Sequence, residues 1–325
     1  HTRYWRDWSS DVCSSDLSLI GVGRRNRIIN GDFRIDQRNA GGTITTPNVG
    51  YACDRWACAT YVTGTTIQRS TTVPTGQGFS NSYLMTNGTA VSPGASTYYQ
   101  QIWQVIEGYN ITQLGWGTSS ASPISVSFWV RSSITGLYSF GISNGDNPAN
   151  TTHTRCYCQT FNINVANTWE YKTFIIPGCT DGTWNTDNTY GITISFNMGS
   201  GSVYQTSTPG TWISNSPARA LNSTPSTVSF NNNTGATFYL TGVQLEAGKV
   251  ATPFEYRSYG QELALCQRYC YVISNSGNSP YDGYTMISLG HSVSTTNVYG
   301  MVTLPVTMRT PPTFSNLGSD ASPLY

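Results

Sequence analysis

Polar and apolar residues alternate with a period of two along much of this chain, the pattern of strands that bury one face. In ISVSFWVRS, Ile124, Val126, Phe128 and Val130 point one way while Ser125, Ser127, Trp129 and Arg131 point the other. In YGITISFNMG, Ile192, Ile194, Phe196 and Met198 alternate with Thr193, Ser195 and Asn197. WEYKTFIIPG from Trp169 and ATFYLTGVQLEAG around Phe238 to Glu246 read as further strands, and turn clusters such as SNGDNPANTT (Ser143 to Thr152) and NNNTG separate them. Many short strands with almost no helix predict an all-β sandwich or barrel.

One segment departs from this rule. SYGQELALCQRYC, Ser258 to Cys270, sets Tyr259, Leu263, Cys266 and Cys270 at helical spacing and predicts a short linking helix. Its apolar stripe could form a seam around a threefold axis or dock on its own sandwich. Beyond it, residues 271–325 hold a few strands, YGMVTLPVTM among them. A piece that small buries too little surface to stand alone. The expectation is that it continues past Tyr325 in the intact protein or packs on neighbours.

At the other end, DWSSDVCSSDL (Asp7 to Leu17) fits no protein pattern. It lacks the apolar run of a secretion signal and the pattern of a helix or a membrane span. Back-translated, it resembles the reverse strand of a short-read sequencing adapter, and His1 to Arg3 match the outer part of the same adapter. The expected organisation is therefore adapter-derived residues 1–17 packed against nothing, a linker over 18–26, a β-sandwich over 27–257, a helix over 258–270 and a truncated C-terminal β unit over 271–325. A buried Trp8 or Cys13 would contradict the first of these. Whatever lay upstream of Ser18 is then missing.

Composition narrows the function classes. Charged residues are 10% of the chain and aromatics 13%, against roughly 25% charged in ordinary soluble domains. That suits β-rich proteins with uncharged polar surfaces and excludes disorder. With 17 Lys and Arg against 16 Asp and Glu, nothing concentrates the basic charge that nucleic acid or an anionic membrane requires. Cys53, Cys58, Cys156, Cys158, Cys179, Cys266 and Cys270 contain no C-x-x-C pair. They read as reduced, buried small hydrophobes, which suits a protein made in a bacterial cytoplasm. Neither His153 nor His291 lies in a ligand-like pattern.

Three strings are distinctive: RRNRIINGDFRIDQRNAGG (Arg24 to Gly42), YACDRWAC (Tyr51 to Cys58) and LTGVQLEAGKVATPFEYRSYGQELALCQRYCY (Leu240 to Tyr271). Together they resemble the opening, the early strand and the closing strand plus linker helix of phage tail-fibre and receptor-binding-type proteins. The same opening and closing elements resemble jelly-roll carbohydrate-binding modules. Those begin with an Asn-Gly-Asp-Phe-like strand, carry a central FWV strand and finish on a strand paired beside the first. The resemblance implies a jelly-roll β-sandwich, a homotrimer with other tail proteins as partners, host cell-surface carbohydrate as ligand, and a place in the virion tail. Some such modules hold a structural calcium, for which Asp32 stands at the first acidic position. Thr241 and Gly242 occupy places that often carry acids, whereas Ca²⁺ needs several oxygen ligands.

No H-E-x-x-H or P-loop is present, so the reading is non-enzymatic, although a depolymerase site formed between chains would escape it. Uncharged glycans are held by aromatic faces, with amides, hydroxyls and an occasional Arg making hydrogen bonds. If the apolar side of ISVSFWVRS faces the core, Trp129 and Arg131 stand outside beside Ser127 as a sugar platform, unless another strand, a subunit or the helix covers Trp129. Trp116, Trp184 and Trp212 lie in Gly- and Asn-rich loops, where an indole is not easily core, and are further candidate contacts. Trp56 reads as structural, with Asp54 and Arg55 as a local ion pair. The function expected is recognition of host surface glycan by a phage or prophage tail protein. A purely structural tail or baseplate component and a secreted bacterial carbohydrate-binding module are the alternatives.

Overall fold

A computed structural model of the chain describes residues 25–45, 49–91, 96–145, 154–214, 220–273, 290–292, 298–300 and 302–313. The adapter-like stretch 1–17, and with it the expectation for Trp8 and Cys13, lies outside the described residues, as does most of the C-terminal unit. Among the described residues the strands are β1 (Ile44–Thr45), β2 (Val49–Cys53), β3 (Trp56–Thr60), β4 (Thr66–Ser70), β5 (Ser82–Thr86), β6 (Tyr99–Glu107), β7 (Ile124–Ser132), β8 (Gly136–Ser143), β9 (Arg155–Ile163), β10 (Glu170–Ile176), β11 (Tyr190–Ser200), β12 (Trp212–Ser214) and β13 (Thr237–Ala247). Helix α1 (Tyr259–Gln267) follows, then β14 (Gly290–Ser292) and β15 (Val298–Gly300). No described helix is long and apolar enough to cross a membrane.

Strands β1 to β13 form a jelly-roll sandwich. One antiparallel sheet has the order β1-β4-β5-β13-β7-β10 and the other β12-β9-β8-β11-β6-β3-β2. The predicted alternation holds: Ile124, Val126, Phe128 and Val130 of β7 and Ile192, Ile194, Phe196 and Met198 of β11 are all fully buried between the sheets. Phe196 sits at the centre, 4.9 Å from Phe128 and 5.2 Å from Phe140, ring edges against ring faces.

The first described segment runs beside the last strand, where β13 carries a bulge between Thr241 and Gln244. The bulge turns the Val243 amide toward the Gly31 carbonyl (2.9 Å), and the Arg27 amide donates to the Leu245 carbonyl (2.9 Å). A Cβ on Gly31 would stand 2.1 Å from the Val243 carbonyl oxygen, so only glycine fits the close approach. Asn26 caps this junction: its side chain accepts from the amides of Ile28 and Leu245 and donates to the Val243 carbonyl. The sandwich thus takes in residues earlier than 27.

Charged residues of the closing string lock the same junction. The Glu255 carboxylate accepts from the amides of Arg25 and Asn26. The Arg257 guanidinium donates to the carbonyls of Asn26 and Ile28 and pairs with Glu255 (3.1 Å) and Glu262 (3.2 Å). From the string Tyr51 to Cys58, the Trp56 indole N–H donates to the Asn30 carbonyl at 2.9 Å, and the Asn30 amide group donates to the carbonyls of Ile35 and Asp54. The three distinctive strings therefore meet in one place.

Helix α1 starts on a Ser258–Gln261 capping box and ends at Gln267, short of the expected Cys270. It docks on its own sandwich through Leu265 and Cys266 against Ile29 and Ile35. The predicted stripe was misplaced at its first residue: Tyr259 is 57% exposed, because the pairing of Glu262 with Arg257 turns that side of the helix inward instead. Past the helix, β14 and β15 form a hairpin. Residues 302–313 of the expected strand YGMVTLPVTM and its continuation are irregular, tied to the sandwich by the Arg309 amide on the Arg268 carbonyl.

Candidate functional site

The outer faces of the two sheets differ. On the six-stranded sheet, register puts Trp129 of β7 opposite Tyr171 of β10 on one side and Thr241 of β13 on the other. The Trp129 and Tyr171 rings lie 5.4 Å apart at 47°. Tyr171 is 45% exposed and Trp129 partly so. Two residues along β7, Arg131 faces Tyr239, with its guanidinium carbon 4.8 Å from the ring centroid and its Nε donating to the Asn167 carbonyl at 2.8 Å. Tyr239 packs in turn on Trp169 at 6.0 Å. The result is a partly open strip of aromatic rings flanked by one guanidinium. Ser127, singled out with Trp129 and Arg131, is only 3% exposed between Thr173 and Gln244 and does not reach this surface.

The strip stays open because the segments that cross this sheet do so at the bulged part of β13. There Phe79 lies against Gly242, a residue at φ +62°, and Gln244 binds the carbonyls of Thr252 and Pro253. Strand β10 is the sheet edge.

On the seven-stranded sheet the outward residues Ser195 and Asn197 of β11 are small and polar, and the connection that leads from β12 toward β13 covers them. The Asn222 amide group donates to Gln101 (2.7 Å) and Ser195 (3.1 Å) and accepts from Asn197 (3.1 Å). All four residues are buried. A Cβ on Gly141 would stand 2.3 Å from the Cβ of Asn222, so the cover lies directly on the strands.

The three loop tryptophans are not free contacts. Trp116, Trp184 and Trp212 converge as an edge-to-face trio with centroids 4.7, 5.2 and 5.6 Å apart. Each indole N–H donates to a backbone carbonyl, those of Ser122, Asp181 and Pro177 respectively. Trp116 and Trp184 are 7% exposed and belong to the main core, while Trp212 packs on it partly buried. The expectation that these indoles stay out of the core fails because segments distant in sequence, the loops of Trp116 and Trp184 and the start of β12 at Trp212, supply apolar walls for one another.

The calcium expectation does not fit the residues present. Asp32 is buried and ion-paired with Arg34. Burial raises its carboxyl pKa above the ordinary value, with Arg34 opposing and Glu262 adding to the rise. Among the described residues no cluster of acids, His or Cys could hold a metal. The tie that an ion would supply between first and last strands is made by Asn26, Glu255 and Arg257.

Two smaller expectations resolve differently from each other. Trp56 is fully buried, as expected of a structural residue. Asp54, however, pairs with Arg38 at 3.3 Å, while Arg55, at φ +74°, turns away to stack on Tyr269 at 3.4 Å. None of the seven described cysteines is in a disulfide, and all but Cys270 are buried. Tyr171 and Tyr239, the two site residues that reading along the chain missed, occupy outward positions of predicted strands. Aligning those strands beside β7 would have brought them forward.

No family model matches the chain, and no curated protein does. Solved structures with a similar arrangement include three informative examples. One is the enzymatically active domain of tailspike protein 4 of bacteriophage CBA120, at 14% identity and TM-score 0.34, covering 69% of this chain and 21% of that one. Another is a sugar-binding protein, so named provisionally, of Bacteroides thetaiotaomicron (12%, TM-score 0.37, covering 68% of this chain and 99% of that one). The third is the family 11 carbohydrate-binding module of Clostridium thermocellum in complex with a mixed-linked tetrasaccharide (12%, TM-score 0.31, covering 66% of this chain and 100% of that one). The chain thus spans about a fifth of the tailspike domain it resembles.

Proposed function

We propose that the chain is a non-enzymatic glycan-recognition unit of a phage or prophage tail fibre, acting outside the cell on host surface carbohydrate. The observation that carries this reading is the partly open Trp129–Tyr171 pair. Among the described residues the Trp129 indole N–H has no partner, unlike those of Trp116, Trp184 and Trp212, so a partly open ring with an unused donor is left for a ligand. A sugar ring has the matching chemistry, with an apolar face to stack and hydroxyls to bond. The tail assignment is supported by the three tail-fibre-like strings, which form one interlocked junction and not scattered likenesses.

A purely structural trimer component is less well supported, since the helix stripe that a threefold seam would use is docked on Ile29 and Ile35. A bacterial carbohydrate-binding module uses the same surface chemistry, and only genomic context separates the two. Glycan-array screening of the chain beside Trp129→Ala tests the reading. Binding to host polysaccharide, lost in the variant while the melting temperature holds, is expected. Binding that survives Trp129→Ala, turnover of the polysaccharide, or no binding at all overturns it.

A further inference from the structure

We infer that the glycan held on Trp129 is acidic, and that Arg131 receives its carboxylate. This rests on the glycan reading above and deepens it by naming the ligand class.

Arg131 stands two residues from Trp129 on the same face of β7, about 7 Å away along the strand. A sugar stacked on the indole therefore presents its substituents, or its neighbour in the polymer, to the guanidinium. Stacking on Tyr239 and the bond from Nε to Asn167 hold the guanidinium plane in place, leaving the two terminal nitrogens to act as a fork. Such a preorganised fork matches a carboxylate in a way that a lone hydroxyl does not.

The charge around it is uncompensated. Among the described residues Arg34, Arg38, Arg155, Arg257, Arg268 and Lys172 all have carboxylate partners, but no carboxylate lies within ion-pair distance of Arg131. The outward acid of β13, Glu246, lies opposite Ser125, at the far end of β7. It is turned onto Thr252 and Gln244. In a chain with so few charges, a cation fixed beside an open aromatic pair is a recognition element for an anion.

The test is titration of the full chain with polygalacturonate, alginate and polysialic acid, each beside its carboxyl-reduced, neutral form. The wild type is expected to prefer at least one acidic polymer over its neutral form by about ten- to a hundredfold, a preference that shrinks as salt rises. Arg131→Gln should erase the preference. Arg131→Lys, which keeps the charge and loses the fork, should keep part of it and guards against a folding artefact. Equal binding of acidic and neutral forms, still dependent on Trp129, overturns the acidic ligand and leaves the glycan reading standing. Binding to none of the polymers overturns both.

Discussion

Each sheet carries a tryptophan at an outward position of an interior strand, Trp129 on β7 and Trp103 on β6, and their surroundings are opposite. Trp103 is 5% exposed and packs with Ala57, Ala59, Tyr99 and Val105. Trp129 shares a partly open strip with Tyr171. Strand alternation assigns both to the side away from the core and cannot separate them. What separates them is the path of the chain elsewhere. The connection after β11 lies over the seven-stranded sheet, whereas the crossing segments of the other sheet stay at the β13 bulge. An outward aromatic becomes a binding surface only where no connection lies over it.

That contrast can be sharpened first with Trp103→Ala, which should cost about 3–5 kcal/mol of stability in chemical denaturation, the range for deleting a buried tryptophan. Trp129→Ala should leave stability within about 1 kcal/mol. Equal costs for the two would erase the difference between the faces.

A smaller effect is expected from Asn222→Ala, which leaves the buried side chains of Gln101, Ser195 and Asn197 short of partners. The loss should be on the order of 1–3 kcal/mol, with glycan affinity unchanged because the cover is on the other sheet. Weakened binding in this variant would mean that the two faces are coupled.

The smallest effect is pH-dependent. Burial raises the Glu107 carboxyl pKa, but the bonds from Arg268 and Tyr269 outweigh it and set the pKa below its ordinary value. A depressed acid pKa means stability that is present at neutral pH and is lost as pH falls through the folded-state value. Unfolding free energies of wild type and Glu107→Gln from chemical denaturation should therefore differ at neutral pH, by less than about 1 kcal/mol given the partly exposed Arg268, and converge in acid. A gap that widens in acid would show the sign to be wrong.

How much of this was legible in the sequence follows from range. The two-residue period of β7 and β11 identified their buried positions, because alternation is a local property. The site was half legible: Trp129 and Arg131 lie in one strand, but Tyr171 and Tyr239 join them only through register across β10 and β13. The loop tryptophans misled because no single loop contains the walls that bury them. The helix was legible as a helix, while its inward side depended on Arg257, which belongs to the preceding bend.

The junction of Asn26 with Arg257 has a mechanical consequence. The polypeptide enters and leaves the sandwich at one point, so the whole β unit hangs from the backbone as a side loop. Tension applied along the chain is carried across the Asn26–Glu255–Arg257 contacts and does not run through the strands. Pulling at Asn26 and Arg257 would therefore load the junction first and leave the strip at Trp129 in shape.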